Sequence, residues 1–92
     1  MLKVVYSSRF KRDYKRMVKR GCNEEDFRVV LNYLMKRESL PAKYRDHVLS
    51  GDFKGFRECH INPDWLLIYD VKDEELILVL VCTGTHSDLF RK

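Results

Sequence analysis

The chain has 92 residues, which is enough for one hydrophobic core but not for two. Hydrophobic residues make up 45% of the chain, so it should fold rather than stay disordered. It contains no apolar run near the ~20 residues of a membrane span, no signal-peptide pattern and no glycine-rich phosphate loop. We therefore expect a single cytoplasmic domain over residues 1–92, with no membrane partner.

The positive charge is concentrated near the N-terminus. The net charge is +4, but residues 1–20 carry eight basic side chains and one acidic side chain. Residues 47–92 carry five basic and eight acidic side chains. A concentration of positive charge suggests a polyanionic partner such as a nucleic acid, although a basic helix face is by default only a solvated surface.

Three cysteines, Cys22, Cys59 and Cys82, lie far apart in the sequence. Their odd number argues against the disulfide framework of a small secreted domain, and no pair has the C-x-x-C spacing of a zinc knuckle. We interpret them as reduced thiols that pack as small apolar groups.

The first half of the chain predicts one short strand and two helices. Residues 2–6 are β-prone, and Ser7 or Ser8 is suited to cap a following helix that Gly21 ends. Asn23 is suited to cap a second helix, which ends before Pro41. The apolar stripes have helical spacing and consist of Phe10, Tyr14, Met17 and Val18 in the first helix, and of Phe27, Val30, Leu31, Leu34 and Met35 in the second.

The second half predicts strands at residues 53–60, 65–71 and 76–82, followed by a tail over residues 83–92. The fold class is therefore α+β with the order β-α-α-β-β-β. We expect a mainly antiparallel four-stranded sheet with the helix pair packed on one face. The predicted core of the strands is Trp65, Leu67, Ile68, Leu76, Leu78 and Leu80.

Three histidines are the main candidates for chemistry. His47, His60 and His86 lie at predicted strand ends or in connecting loops, where functional groups commonly sit on a rigid scaffold. In a small meander the three imidazoles can converge on one sheet surface. Three alternatives stay open at this point: structural or surface histidines, an open zinc site with three ligands, and metal-free acid–base catalysis.

Acid–base catalysis has a specific form when the substrate is RNA. A base takes the proton of the ribose 2′-OH, which attacks the adjacent phosphate, and an acid protonates the departing 5′-oxygen. A cation stabilises the charge that builds on the phosphoryl oxygens. Arg57 is a candidate because guanidinium matches phosphate geometry, and Glu58 and Asp64 are candidates to orient or stabilise the imidazoles.

Four ordered motifs in the second half are more specific than the histidines alone. They are residues 44–51 (YRDHVLSG), 53–60 (FKGFRECH), 63–69 (PDWLLIY) and 83–90 (TGTHSDLF). Together with the length and the element order, they resemble the YafQ-type toxins of bacterial toxin–antitoxin modules, which belong to the RelE/ParE superfamily. The resemblance covers essentially the whole chain and is strongest in residues 44–90.

This resemblance implies an mRNA interferase that enters the ribosomal A site and cuts mRNA without a metal or other cofactor. It implies His47 as the general base, His86 as the general acid, and Phe90 as a ring that stacks on a base. Glu58 stands where the family often has Asp. The implied catalytic set is His47, Arg57, Glu58, His60, Asp64 and His86, and the expected RNA-binding set is Lys11, Arg12, Lys15, Arg16, Lys54 and Phe90.

The resemblance also implies partners. A cognate antitoxin is expected, often in a 2:2 heterotetramer that binds its own operator DNA, together with the ribosome and mRNA. The alternative function is that of a non-enzymatic ParE-like inhibitor or nucleic-acid-binding module, because the fold is shared and fold alone does not set function. The three histidines and Asp64 favour the nuclease.

Overall fold

The computed structural model describes residues 1–90; Arg91 and Lys92, the end of the predicted tail, lie outside the described residues. Its helices are α1 (Ser8–Lys19), α2 (Glu24–Met35) and α3 (His86–Phe90). Its strands are β1 (Lys3–Tyr6), β2 (His47–Val48), β3 (Arg57–Asn62), β4 (Trp65–Lys72) and β5 (Ile77–Gly84). The predicted α+β class and the prediction of a helix pair near the N-terminus are confirmed.

Within residues 1–90, the five strands form one sheet in the order β1-β5-β4-β3-β2. β1 runs parallel to β5 after the helix pair, and every other pairing is antiparallel. The predicted count of four strands is wrong by one, because β2 is a two-residue strand that pairs with Arg57 and Glu58 of β3. Both residues of β2 are exposed, so the sequence shows no alternation of hydrophobic and polar residues from which this strand could be predicted.

The helix boundaries follow from local side-chain chemistry, as predicted. The Ser7 hydroxyl accepts a hydrogen bond from the backbone N–H of Phe10 at 2.9 Å, and the Asn23 side chain accepts one from Glu25 at the start of α2. Gly21 follows α1 with a φ of 96°, a left-handed conformation that glycine adopts without steric cost.

Two predicted boundaries are wrong for identifiable reasons. β3 begins at Arg57 rather than Phe53, because residues 51–53 form a 3-10 turn and Gly55 has a φ of 95°. Phe53 and Phe56 are β-prone residues and so suggest a strand, but both rings pack on the sheet from outside it. The start of the predicted tail, residues 83–84, extends β5, and residues 86–90 form α3.

The sheet separates two apolar clusters. The larger lies under α1 and α2, and the smaller lies on the opposite face, where α3 and the β2–β3 connection cover it. Leu76 is the one predicted core residue that is wrong: it is 55% exposed and ends the tight turn before β5. The buried members of the smaller cluster are Leu66, Ile68, Cys82 and Leu89.

Strand β3 has a different chemistry on each face. Cys59 and Ile61 point into the larger cluster under the helices. Because side chains alternate along a strand, Glu58 and His60 point to the opposite face. The fold therefore places these two polar side chains on the side of the sheet that also carries α3.

The three cysteines are free thiols, as predicted, and two of them are fully buried. Burial raises the pKa of Cys82 to about 11 and also raises the pKa of Cys59. Protonated thiols are poor nucleophiles, so packing is their role. Across residues 1–90, no helix is both long and apolar enough to span a bilayer.

Candidate active site

A buried carboxylate lies between two imidazoles on the face of the sheet that carries α3. Glu58 is 4% exposed, and its Oε1 is 3.4 Å from Nε2 of His47 and 3.6 Å from Nε2 of His60. The other oxygen, Oε2, is buried with no hydrogen-bond partner among the described residues. The charge of this carboxylate raises the pKa of His60 and so opposes the effect of burial.

The third histidine extends this group. The rings of His60 and His86 meet edge to face, with centroids 5.6 Å apart. Nδ1 of His86 is 3.5 Å from Oδ1 of Asp64. His47, Glu58, His60, His86 and Asp64 thus form a continuous row, which we call the histidine row, and a carboxylate adjoins every imidazole in it.

A left-handed turn and a strand register orient His47. The backbone at Arg45 has a φ of 48°, and its carbonyl oxygen lies 2.7 Å from Nδ1 of His47. A carbonyl accepts but cannot donate, so Nδ1 carries the proton. In the neutral ring Nε2 is therefore the basic nitrogen. The pairing of His47 with Glu58 across β2 and β3 then sets Nε2 against the carboxylate.

The β3–β4 turn positions Asp64. The register of the two strands shifts between His60 and Asn62, and the Asn62 side chain accepts a hydrogen bond from the backbone N–H of Asp64 at 3.2 Å. This is the side-chain turn that the Asn-Pro-Asp sequence favours. It brings the exposed Asp64 carboxylate to His86, although 22 residues separate the two in the chain.

Asp88 holds α3, and therefore His86, in place. Its carboxylate accepts a hydrogen bond from the Thr85 N–H at 2.9 Å and another from Arg20 at the end of α1 at 2.6 Å. The Arg20 hydrogen bond holds the pKa of Asp88 far below its usual value, with the Thr85 N–H adding to the effect. A Cβ on Gly84 would come within 2.8 Å of the Asp88 Cβ, so this contact requires glycine.

His60 is the least exposed of the three imidazoles. Its side chain is 11% exposed, against 49% for His47 and 51% for His86. Burial lowers the pKa of His60; the Glu58 charge opposes this effect, and His86 adds to it. His60 is therefore neutral at neutral pH.

Phe90 lies one helical turn beyond His86, so both residues occupy the same side of α3. Its ring packs edge to face against Phe53 with centroids 5.9 Å apart and remains half-buried. An aromatic surface therefore borders the histidine row.

The structure does not bring Arg57 to the histidine row. Arg57 precedes Glu58 in β3 and so points to the opposite face, where it forms two hydrogen bonds to the Asp46 carboxylate, at 3.3 and 3.2 Å. The Tyr69 hydroxyl donates to the same carboxylate. These hydrogen bonds raise the pKa of Arg57. Arg45, which the sequence analysis did not single out, lines a cavity with His60, and its charge adds to the lowering of the pKa of His60. The feature of the sequence that could have drawn attention to Arg45 is its position in the YRDH motif, two residues before His47.

The predicted RNA-binding lysines and arginines remain on the surface. Lys11, Arg12 and Lys15 are exposed on α1, which packs on the face of the sheet opposite Glu58. Arg16 is ion-paired at 3.2 Å with Asp13, whose buried carboxylate also accepts the backbone N–H of Thr83 at 3.2 Å. Lys54 is exposed between the 51–53 turn and β3. The α1 cations therefore lie on the face opposite the histidine row, whereas Lys54 lies in the β2–β3 connection on the same face as the row.

Metal ligation was one of the three alternatives for the histidines. Among residues 1–90, no group of three or more His, Cys, Asp or Glu side chains has the geometry to hold a metal ion. The histidine row places a carboxylate beside each imidazole.

Known protein families and relatives match this chain over nearly its whole length. The family model described as "Bacterial toxin of type II toxin-antitoxin system, YafQ" matches residues 2–91. The mRNA interferase toxin YafQ of Escherichia coli K12 is 38% identical over 88 residues, which cover 95% of this chain and 94% of that protein.

Solved structures show the same fold. The crystal structure of a copper-bound mutant toxin from Helicobacter pylori matches with a TM-score of 0.90 and 40% identity, over 98% of this chain and all of that chain. The toxin in the E. coli DinJ–YafQ complex matches with a TM-score of 0.88 and 36% identity, over 98% of this chain and 99% of that one. With the family match over nearly its whole length, this chain belongs to the YafQ family of toxins from type II toxin–antitoxin systems.

Proposed function

We propose that this toxin is a ribosome-dependent endoribonuclease that cuts mRNA in the A site by metal-independent histidine catalysis. The histidine row is the observation that carries the proposal, because it supplies a base, an acid and two carboxylates on one surface. The relative in E. coli is named an mRNA interferase. The fold alone would suit a non-catalytic inhibitor as well.

The reaction needs its base and acid on opposite sides of the phosphorus atom, since the attacking and leaving oxygens are in line. Nε2 of His47 takes the proton of the ribose 2′-OH, and the 2′-oxygen forms a bond to phosphorus. The bond from phosphorus to the 5′-oxygen breaks, and His86 donates a proton to that oxygen. The products are a 2′,3′-cyclic phosphate and a 5′-OH. His47 and His86 lie at the two ends of the row of imidazoles, which matches this requirement.

The carboxylates control the charge on the imidazoles during these steps. Glu58, 3.4 Å from Nε2 of His47, stabilises the imidazolium that forms when His47 takes the proton. Asp64, whose Oδ1 lies 3.5 Å from Nδ1 of His86, orients the ring that donates the proton. Neutral His60 lies between them, where an N–H group of its ring can donate to the phosphate without taking part in the proton transfers.

We assign stabilisation of the negative charge on the phosphoryl oxygens to Arg45 rather than to Arg57. The guanidinium of Arg57 is already hydrogen-bonded to Asp46 on the other face of the sheet. Arg45 is exposed, acts electrostatically on His60 and lines a cavity with it. A guanidinium near His60 can stabilise the negative charge that develops on the phosphoryl oxygens in the transition state.

Two matched substitutions separate these arginines. Arg45→Gln is expected to lower the cleavage rate about 10²-fold while leaving the free energy of unfolding near that of the wild type. Arg57→Gln should lower the stability by about 1–3 kcal/mol, because Asp46 loses its charged partner, and should change cleavage less. Urea unfolding and a cleavage assay on a translated mRNA measure both effects. If Arg57→Gln is stable but inactive, the assignment to Arg45 is wrong.

Contacts outside the row would hold the RNA and the partners. We assign Phe90 to stacking on a base and the cations of α1 and Lys54 to phosphates of mRNA or ribosomal RNA, contacts that should weaken steeply with salt. A cognate antitoxin is proposed as well, since the E. coli relative is seen in a complex with DinJ. Repression of the operon through a 2:2 heterotetramer, and a cytoplasmic location, complete the proposal.

Cleavage mapping tests the proposal. A reporter mRNA is translated in a purified system with the toxin, and primer extension locates the new 5′ ends; parallel samples contain the same mRNA without ribosomes. The proposal predicts cuts within codons in the translated samples, and few or none in free mRNA. Arrest of translation with intact mRNA would instead support the non-enzymatic alternative.

A further inference from the structure

A cavity of about 410 Å³ opens beside the histidine row, between α2, the turn at residues 42–44 and the outer edge of β3. Its volume lies within the range of small-ligand sites, about 300–1,000 Å³. His60 lies in its wall, so the cavity and the row share one imidazole. The other lining residues are Asp26, Val29, Lys43, Tyr44, Arg45, Ile61, Asn62 and Pro63.

The cavity exists because β2 is so short. Among the described residues, β2 pairs only with Arg57 and Glu58, so the edge of β3 from Cys59 to Asn62 has no strand beside it on that side. The 3-10 turn Ala42–Tyr44 lies against β3 instead. An edge of this kind presents backbone polar groups that a ligand can use.

The chemistry of the lining suits a nucleotide. Lys43 and Arg45 supply positive charge, which a phosphate requires. Tyr44 is half-buried and supplies an aromatic surface; the Lys43 ammonium lies 5.1 Å from the centre of its ring, a contact that a base can replace.

Asn62 supplies hydrogen bonds for a base edge. Its Oδ1 accepts the backbone N–H of Asp64, which fixes the side chain and leaves the NH₂ group to donate. Within residues 1–90 that NH₂ group has no hydrogen-bond acceptor. On the α2 side of the cavity, the exposed Asp26 carboxylate can accept N–H groups from a base.

We propose that this cavity is a nucleotide subsite that binds the mRNA residue next to the scissile phosphate, with Tyr44 stacking on the base and Asn62 reading its edge. The inference rests on the proposed nuclease function, because His60 joins the cavity to the row. Lys43 holds the phosphate of the bound nucleotide. Base identity at this position then influences which codons are cut.

Nucleotide binding is tested first, without any cleavage. The wild-type toxin, labelled with ¹⁵N, is titrated with AMP, GMP, CMP and UMP while amide resonances are followed. The subsite predicts saturable shifts at Tyr44, Arg45 and Asn62, including the Asn62 side-chain NH₂, and different affinities for the four bases. Shifts confined to the exposed face of α1 would overturn the inference.

Two variants then test the assigned contacts. Tyr44→Leu keeps an apolar side chain but removes the ring, and Asn62→Asp keeps the acceptor for Asp64 but removes the NH₂ donor. Each is expected to weaken nucleotide binding about tenfold. Asn32→Asp, the same chemical change on the exposed surface of α2 outside the cavity, is the matched control and should bind like the wild type.

Cleavage mapping separates this inference from the proposed function. On a translated mRNA, Tyr44→Leu and Asn62→Asp should lose the wild-type base preference at one position beside the cut, and Asn32→Asp should retain it. A wild-type toxin that binds nucleotides in the cavity but cuts no mRNA contradicts the nuclease and keeps the subsite. Variants that cut with the wild-type preference and bind nucleotides normally contradict the subsite and keep the nuclease.

Discussion

His86→Ala is expected to lower the rate of mRNA cleavage by about 10²–10⁴-fold and to abolish growth arrest, while the protein stays folded. The imidazole is the proposed general acid, and loss of such a group typically costs a rate factor of this size. The His86 side chain is half exposed, and its contacts are the edge-to-face contact with the His60 ring and the ion pair with the exposed Asp64, so its removal should change the free energy of unfolding by about 1 kcal/mol or less.

Growth after induction, cleavage of a translated mRNA and urea unfolding measure these effects. Lys36→Ala is the control, because it removes an exposed side chain at the end of α2, away from the row. A folded His86→Ala variant that cuts mRNA at the wild-type rate would remove His86 from the mechanism.

Glu58→Gln is expected to lower the cleavage rate about 10²-fold and to lower the pKa of His60. The Glu58 charge raises the pKa of His60 and opposes the effect of burial, so this pKa should fall when the charge is removed. Glu58 also lies 3.4 Å from Nε2 of His47. Without the carboxylate, the imidazolium that forms on His47 during the reaction loses its charged partner, which lowers the rate. An NMR titration of the His60 ring and a cleavage assay on a translated mRNA measure the two effects.

The stability of this variant separates a chemical role from a structural one. Oε2 of Glu58 is buried without a partner, so a neutral amide should leave the free energy of unfolding unchanged or raise it. Glu75→Gln, the same change in the exposed turn before β5, is the matched control and should leave both the cleavage rate and the pKa of His60 unchanged. A destabilised Glu58→Gln variant with an unaltered pKa of His60 would mean that Glu58 only supports the fold.

The parts of the fold that depend on interactions between residues close in the sequence were predictable. Ser7, Gly21 and Asn23 mark the helix ends by their own hydrogen bonds and backbone preferences, and the apolar stripes set the faces that pack on the sheet. β2 was not predictable, because its two residues are a strand only through pairing with β3. Leu76 was misplaced because hydrophobicity does not reveal that a tight turn exposes a side chain.

The residues of the histidine row were predictable, but their arrangement was not. The motifs identify His47, His60 and His86, yet Asp64 meets His86 only because the Asn62 turn and α3 bring together segments 22 residues apart. Alternation along β3 places Arg57 on the face opposite Glu58 and His60, and its pairing with Asp46 depends on the β2–β3 geometry, which the motifs do not reveal.

If the histidine row cuts RNA by moving protons, the chemistry of the ends of the cleaved mRNA shows it most directly. The mapping experiment on translated mRNA is repeated with and without EDTA at a concentration that leaves free Mg²⁺ for the ribosomes, and the chemistry of the new ends is determined. Histidine catalysis predicts a 2′,3′-cyclic phosphate or 3′-phosphate and a 5′-OH, with a rate that the chelator does not change. A 3′-OH with a 5′-phosphate, or loss of cleavage on chelation, would contradict it.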